Sequence, residues 1–358
     1  MRSSRAKRGI VNLSAQMDPA GKLSWDVPPG KWLVLRFGHT TTGQCNLPAP
    51  NGNRGLECDK FSKEAAAAHY QGLMSRLVAE NKQLSGTGKV LVSAHIDSWE
   101  VNSQNWTPKM RGEFKSRRGY DLLPFLPTFT GRVVDSIEVS ERFLYDLRQT
   151  VSDLIVENYA GEFRRQANKD GLRLSIEAYG DVPADEMTYG GQADEPMGEF
   201  WSWTKYRGSA WCAVMASSAH IYGKQILGAE AFTAESDEKW QGHPGNIKDL
   251  GDWAFCEGIN RFVFHRYAAQ PWDTNIAPGM SMGPYGLHYE RTQTWWEQSK
   301  AWHEYLARCQ YLLQQGRFVA DVLYLQNEGA QLRRETQACV VEWTAILPRQ
   351  RCQRGACG

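Results

Sequence analysis

The sequence predicts an α/β protein whose main domain is a (β/α)8 TIM barrel, incomplete in this chain. From residue 90 onward, apolar runs bounded by turn residues alternate with amphipathic segments, which is typical of parallel strands joined by helical crossovers. The chain contains neither a Gly-x-Gly-x-x-Gly nor a Walker loop, and this disfavours the nucleotide-binding α/β folds. Five candidate strands follow residue 90 where a closed barrel has eight, so we expect the first three to precede Met1.

The residues before the barrel, 1–48, are predicted to be the tail of a β-rich module. A Pro-Pro-Gly turn leads into an alternating run at 30–38, which is typical of a strand in a half-solvated antiparallel sheet. A stretch rich in Pro, Gly and Asn, 46–55, then acts as a linker or a long loop.

The barrel region is predicted to span 49–316, with elements assigned by helical or strand periodicity. Ser62 is a candidate N-cap for the first helix, and Gly171 ends the long second one. The predicted order is helix 62–82, strand 90–96, helix 140–168, strand 172–177, strand 198–201, helix 210–222, strand 225–230, helix 247–258, strand 261–266 and helix 294–315. A further strand at 319–325 is expected to open a truncated following domain, 317–358.

Composition excludes several classes of protein. Lys plus Arg number 41 against 40 for Asp plus Glu, so no basic surface is expected to bind nucleic acid. The eight cysteines lack zinc-ligand spacing and are interpreted as small buried hydrophobes. No apolar run is long enough to predict a membrane span. The basic start is not followed by the apolar segment of a secretion signal, and the sequence assigns no compartment.

Two short segments place a Glu where an apolar run ends, close to an aromatic ring. Glu100 adjoins Trp99, and Glu230 is followed closely by Phe232. A carboxyl that must stay protonated near neutral pH needs a partly apolar wall to raise its pKa. Acids at strand ends among aromatic residues indicate a barrel that cleaves sugars, and the 14 Trp, 14 Tyr and 13 Phe also suit stacking on sugar rings.

Six runs in the same order resemble glycoside hydrolase family 106, the α-L-rhamnosidases. They are GLECDKF at 55–61, WEVN at 99–102, RGYD at 118–121, EAYG at 177–180, GAEAF at 228–232 and GPYGLHY at 283–289. The resemblance covers about 25–325 and implies a (β/α)8 catalytic domain, inversion at the anomeric carbon and a calcium ion that helps hold the rhamnose. Family members are much longer, and we expect full-length relatives to be periplasmic or extracellular.

The resemblance also implies a catalytic pair. With three strands preceding Met1, Glu100 falls at the end of strand four and Glu230 at the end of strand seven, and these ends face each other across a barrel mouth. An inverting hydrolase uses one carboxylic acid to protonate the leaving oxygen and one carboxylate to activate water, roughly 6.5–9.5 Å apart. We assign Glu230 as the acid and Glu100 as the base.

Other residues at the strand ends are predicted to line the same mouth. Glu177, at the end of strand five, is assigned to the substrate, and a structural ion pair with Arg173 is the alternative. Glu199, at the end of strand six, is assigned as a calcium ligand, because this ion prefers carboxylate and carbonyl oxygens. The acidic loop at 185–195 is interpreted as solvated. The remaining predicted contacts with the sugar are His95, Trp99, Asn102, His265 and Arg266.

Three classes of function remain open at this point. The first, which we predict, is an inverting glycosidase acting on a rhamnose-containing oligosaccharide or glycoside. The second is a retaining barrel glycosidase of another specificity, which would set the same acids only about 5–5.5 Å apart. The third is an inactive truncated fragment, because an open barrel exposes strand edges that template aggregation.

Overall fold

A computed structural model of the chain describes residues 7–47, 49–84, 90–203, 210–273, 275–276, 280 and 285–325. The chain divides into two compact units. One contains the described residues of 1–42 and 104–150, and the other contains those of 43–103 and 151–331. Every predicted site residue lies in the second unit.

Strands and helices alternate along the second unit. The strands are β1 (Ser93–Ile96), β2 (Arg173–Glu177), β3 (Glu195–Trp203), β4 (Gly228–Ala234) and β5 (Arg261–Phe264). The helices of the described chain are α1 (Lys63–Leu84), α2 (Met110–Arg118), α3 (Ile137–Leu154), α4 (Gly161–Lys169), α5 (Glu186–Gly191), α6 (Ala210–Ile221), α7 (Pro244–Cys256) and α8 (Ser299–Leu313). A π-helical segment, Ile155–Ala160, joins α3 to α4. Helix α1 begins as predicted, because the Ser62 hydroxyl oxygen accepts the N–H of Ala65 at 3.2 Å.

The five strands form one parallel sheet in the order of the sequence, so each strand pairs with the next one along the chain. Helices lie in every connection between consecutive strands. This is the arrangement of half a (β/α) barrel, and it confirms the predicted α/β class.

One face of the sheet is apolar and packs against helices. Because side chains alternate along a strand and register partners share a face, Ile176 lies beside Pro196 on this side, and Phe200 follows on the same side of β3. Gly198 belongs to the same face, where a Cβ atom would lie 3.1 Å from the Cα of Cys212. Helix α6 therefore packs directly against β3 at this point.

The opposite face of the sheet is polar. Glu199 and Glu230 are register partners between β3 and β4, and Glu177 pairs in the same way with Met197. Glu230 is in turn the register partner of Val263 in β5, which is 47% exposed. Three carboxyls from consecutive strands thus share one side of the sheet.

Strand β4 breaks its alternation at Phe232. This residue has a φ of +62°, in the left-handed region that bulky residues rarely adopt. Its ring joins the apolar side, with its centroid 4.9 Å from that of Phe200 and 5.5 Å from that of Phe262. Thr233 then follows in a position from which its hydroxyl donates to Oε1 of Glu230. A strained backbone residue therefore shapes the surroundings of the predicted acid.

Several predicted elements differ from the structure. The strands expected at 30–38 and 319–325 are not formed in the described chain, because a strand needs a neighbour for its backbone hydrogen bonds and neither run has one there. Strands β3 and β4 continue four residues past Glu199 and Glu230, so these two residues lie inside strands and the prediction that they mark strand ends is wrong. The domain boundaries at 48 and 316 stay predictions. Among the described residues, no helix combines the length and apolar character needed to cross a membrane.

Candidate active site

Three carboxyl groups on the polar face of the sheet form the core of the candidate site. Glu177 is the last residue of β2, and Glu199 and Glu230 lie opposite each other in β3 and β4. Glu177 and Glu199 are buried, whereas Glu230 keeps part of its surface exposed. The strand register alone brings these three residues together.

Burial and the charge of neighbouring carboxyls raise the pKa values of Glu177 and Glu199. Burial, and after it the charges of Glu230 and Glu177, raise the pKa of Glu199 to about 9. Burial also raises the pKa of Glu177 to about 7, while a hydrogen bond from His95 opposes this shift. Glu199 and Glu230 share a hydrogen bond, which needs a proton on one of the two carboxyls.

Two neighbours lie beside the carboxyl of Glu230. The hydroxyl of Thr233 donates to Oε1, and Nδ1 of His265 lies 3.4 Å from the same oxygen. His265 follows directly after β5 and lies beside this oxygen without a hydrogen bond to it, and its predicted contact with the sugar stays a prediction. The hydrogen bond from Thr233 therefore orients the carboxyl of Glu230.

Glu177 is held through both of its oxygens. Nε2 of His95 lies 3.3 Å from Oε1, and the Tyr179 hydroxyl donates to Oε2 at 2.7 Å. The other ring nitrogen of His95, Nδ1, is 2.8 Å from the hydroxyl of Ser175. Burial opposes the protonation of His95, but the hydrogen bond with Glu177 and the nearby carboxylates prevail and raise its pKa.

Two arginines near the site bind groups outside the carboxyl cluster. Arg173 places Nε 3.0 Å from Oε1 of Glu195, so the alternative that Glu177 forms an ion pair with Arg173 is wrong. Arg266 is buried, and its Nε donates to the carbonyl of Tyr285 at 3.2 Å. The predicted contact between Arg266 and the sugar stays a prediction.

Glu100 lies in the segment after β1 and does not belong to the row of strand residues that carries the three clustered carboxyls. It is exposed, four residues beyond β1, and its Oε1 accepts a hydrogen bond from the Ser98 hydroxyl at 3.1 Å. The neighbouring Trp99 is buried: its indole N–H donates to the Asn102 carbonyl at 2.8 Å, and its ring meets Tyr159 edge to face. Trp99 therefore offers little ring surface to a sugar and instead orders the segment that carries Glu100.

One group of side chains has the spacing to hold a metal ion. His95, Asp97 and Glu177 each offer one ligand atom, and the three atoms lie within 4.8 Å of one another. Glu199, the predicted ligand, is not a member of this group. Because Ca²⁺ prefers oxygen and imidazole suits transition metals, the two carboxylates fit calcium better than His95 does.

Three polar residues of this site were not predicted from the sequence: Asp97, Tyr179 and Thr233. Asp97 and Tyr179 follow β1 and β2 within two residues, so a systematic search of the positions after each strand would have found them. Nothing in the sequence shows the backbone turn that directs Thr233 toward Glu230.

Comparison with known proteins identifies one family and two relatives that are both named as glycosidases but differ in the sugar. Residues 3–342 match glycoside hydrolase family 106, described as alpha-L-rhamnosidase. A curated protein from Formosa agariphila, named "Putative beta-glucuronidase", is 44% identical over 324 residues, which are 90% of this chain and 27% of that protein. The structure of a rhamnosidase from Novosphingobium sp. PP1Y matches with a TM-score of 0.77 and 33% identity, over 91% of this chain and 32% of that one. The chain thus spans less than two thirds of the length of either relative.

Proposed function

Since the chain belongs to glycoside hydrolase family 106, the α-L-rhamnosidase family, we propose that the protein hydrolyses terminal α-L-rhamnosides with inversion. The observation that carries this proposal is the cluster of Glu177, Glu199 and Glu230 on the polar face of a parallel sheet. Glycoside cleavage needs one carboxyl that is protonated and one that is ionised. The crowded cluster supplies the protonated group, because burial raises the pKa values of Glu177 and Glu199 and Glu199 shares a hydrogen bond with Glu230.

We further propose that the five strands are strands four to eight of a (β/α)8 barrel. Within the described residues, β1 and β5 each pair along one edge alone. The exposed Val263 lies on the polar face, which is the inner face of a closed barrel. The relatives are long enough to supply further strands.

In the proposed mechanism, Glu230 is the general acid and Glu100 the general base. Glu230 gives its proton to the glycosidic oxygen while the bond from that oxygen to the anomeric carbon breaks. Glu100 takes a proton from the water that attacks the opposite side of the anomeric carbon. The exposed position of Glu100 supports this role, because a base of this kind must reach water. Thr233 supports the role of Glu230 by orienting its carboxyl, and His265 lies beside the same oxygen.

A second candidate function is hydrolysis of β-glucuronides, which the name of the Formosa relative favours. A glucuronide carries a carboxylate that is bound best by Arg or Lys. The candidate site is instead rich in acids, and Arg266 faces the carbonyl of Tyr285. A neutral deoxy sugar therefore fits this site better than a uronic acid.

The proposed function is tested with the intact protein and two nitrophenyl glycosides, the α-L-rhamnoside and the β-D-glucuronide. We expect hydrolysis of the rhamnoside, with β-rhamnose as the first product in a proton NMR time course. Faster hydrolysis of the glucuronide would instead support the second candidate. Early release of α-rhamnose would favour the retaining alternative.

Calcium is proposed as a partner of the site on the basis of the family resemblance. Asp97 and Glu177 would hold the ion, because their ligand atoms lie within 4.8 Å of each other, and Glu199 is kept as a further proposed ligand because it interacts electrostatically with Glu177. Bound calcium would supply a positive charge for the hydroxyl oxygens of the sugar.

Exhaustive chelation of the intact enzyme is therefore expected to lower kcat/KM for the rhamnoside, and added Ca²⁺ should restore it. Glu199→Ala should raise the Ca²⁺ concentration needed for half-maximal activity, whereas Glu138→Ala on the exposed side of α3 should not. Unchanged rates after chelation would remove the metal from the mechanism.

A further inference from the structure

A stacked aromatic pair lies near the carboxyl ends of β4 and β5, apart from the acid cluster. Trp240 belongs to the loop between β4 and α7 and is 38% exposed. Its ring stacks on the imidazole of His288, with centroids 3.7 Å apart and planes inclined by 23°. Part of the indole surface thus stays open to solvent on an element that follows the strand of Glu230.

A fully buried carboxylate holds this pair. Glu238 has 0% exposure and accepts the N–H groups of Trp240 at 2.8 Å and Gly242 at 2.6 Å. Its Oε2 also lies 2.5 Å from Nδ1 of His288. A buried carboxylate is costly unless hydrogen bonds satisfy it, so this arrangement fixes both rings. When Nδ1 donates to Glu238, Nε2 is the His288 nitrogen available to a ligand.

Backbone hydrogen bonds hold the segment before His288 at the ends of β4 and β5, which come after Glu230 in the strand direction. The N–H of Gly286 donates to the carbonyl of Ala234 at 2.7 Å, and the N–H of Leu287 donates to the carbonyl of His265 at 2.8 Å. His288 therefore follows a segment bonded to the ends of both strands. Ala234 is the last residue of β4 and follows Glu230 by four residues.

We propose that Trp240 and His288 form the subsite for the sugar on the leaving-group side of the cleaved bond, an inference that rests on the proposed rhamnosidase function. The cleaved sugar occupies the acid cluster, so the next sugar extends outward from Glu230 past the strand end. The indole face stacks on the C–H groups of that ring, and Nε2 of His288 bonds one of its hydroxyls. The ligand is a neutral saccharide.

The test compares two substrates of the intact enzyme: a disaccharide with terminal α-L-rhamnose, and α-L-rhamnosyl fluoride, whose leaving group has no ring. For Trp240→Ala, the loss in kcat/KM on the disaccharide should exceed the loss on the fluoride by about tenfold, as expected for one aromatic contact. Trp240→Phe should recover most of the difference. Trp32→Ala, which removes a Trp of similar exposure, 40%, should affect both substrates equally.

A binding measurement separates the subsite from the activity. In the Glu230→Gln background, calorimetry with the intact disaccharide should show about tenfold weaker binding when Trp240→Ala is added. Equal binding by the two proteins, or equal losses on the two substrates, would overturn the subsite. If the wild-type enzyme cleaves neither rhamnosyl substrate, the proposed function fails, and the calorimetry still decides whether Trp240 binds the saccharide.

Discussion

Glu230→Gln in the intact enzyme is expected to lower kcat/KM for a rhamnosyl disaccharide by about 10²–10⁴-fold, the usual contribution of general acid catalysis. Glutamine has nearly the same shape and still accepts the hydrogen bond of Thr233, but it has no proton to give to the leaving oxygen. Nitrophenyl rhamnoside should lose much less activity, because a phenolate leaves with little protonation. Steady-state rates on the two substrates measure the difference.

The matched control for this substitution is Glu138→Gln, which changes an exposed Glu of α3 that pairs with Arg142. Both variants should keep the thermal unfolding midpoint of the wild type, so that a loss in rate reflects chemistry. Equal losses on both substrates would exchange the roles of Glu230 and Glu100. Near-normal turnover on the disaccharide would remove Glu230 from the mechanism.

Glu100→Gln is expected to reduce kcat/KM by about 10²–10⁴-fold on both the disaccharide and the nitrophenyl glycoside. Activation of water is needed whatever the leaving group is, so the two losses should agree within a small factor. The side chain is exposed and is bonded to Ser98, so stability should change little. The measurement is again kcat/KM on the two substrates.

Glu177→Gln provides the comparison that decides the identity of the base. Glu177 belongs to the carboxyl cluster, and its pKa is raised to about 7 by burial, whereas Glu100 lies in the segment after β1. If Glu100→Gln keeps most of its activity and Glu177→Gln loses kcat/KM to the same extent on both substrates, Glu177 is the base. The opposite result supports the pair proposed from the resemblance.

Local signals predicted the start of α1 and the end of the helix before β2, whereas the starts of β1, β3, β4 and α7 differ by three residues from the prediction. The N-cap at Ser62 and the left-handed Gly171, with φ of +76°, mark element boundaries that depend on a few neighbouring residues. Strand lengths were predicted less well, because a strand ends where its hydrogen-bonding neighbour ends. For this reason β3 and β4 extend beyond the apolar runs that revealed them, and the isolated run at 30–38 forms no strand.

The candidate site was predicted only in part, because it too depends on contacts between neighbouring strands. The sequence identified Glu177, Glu199 and Glu230 as separate strand residues, but their contact depends on the register between three strands. The burial that raises the pKa of Glu199 is likewise a property of the packed sheet. Trp99 shows that a neighbour in sequence need not line the site. It directly precedes Glu100, but it is buried away from the solvent.

The left-handed conformation of Phe232 limits which residues that position tolerates. The backbone there favours glycine, which would relieve about 1–2 kcal/mol of conformational cost. The apolar pocket favours an aromatic ring, whose removal costs about 3–5 kcal/mol. Loss of the ring therefore outweighs relief of the backbone, and no small residue that suits the backbone also fills the pocket. Replacement of Phe232 by a small residue should therefore lower the free energy of unfolding.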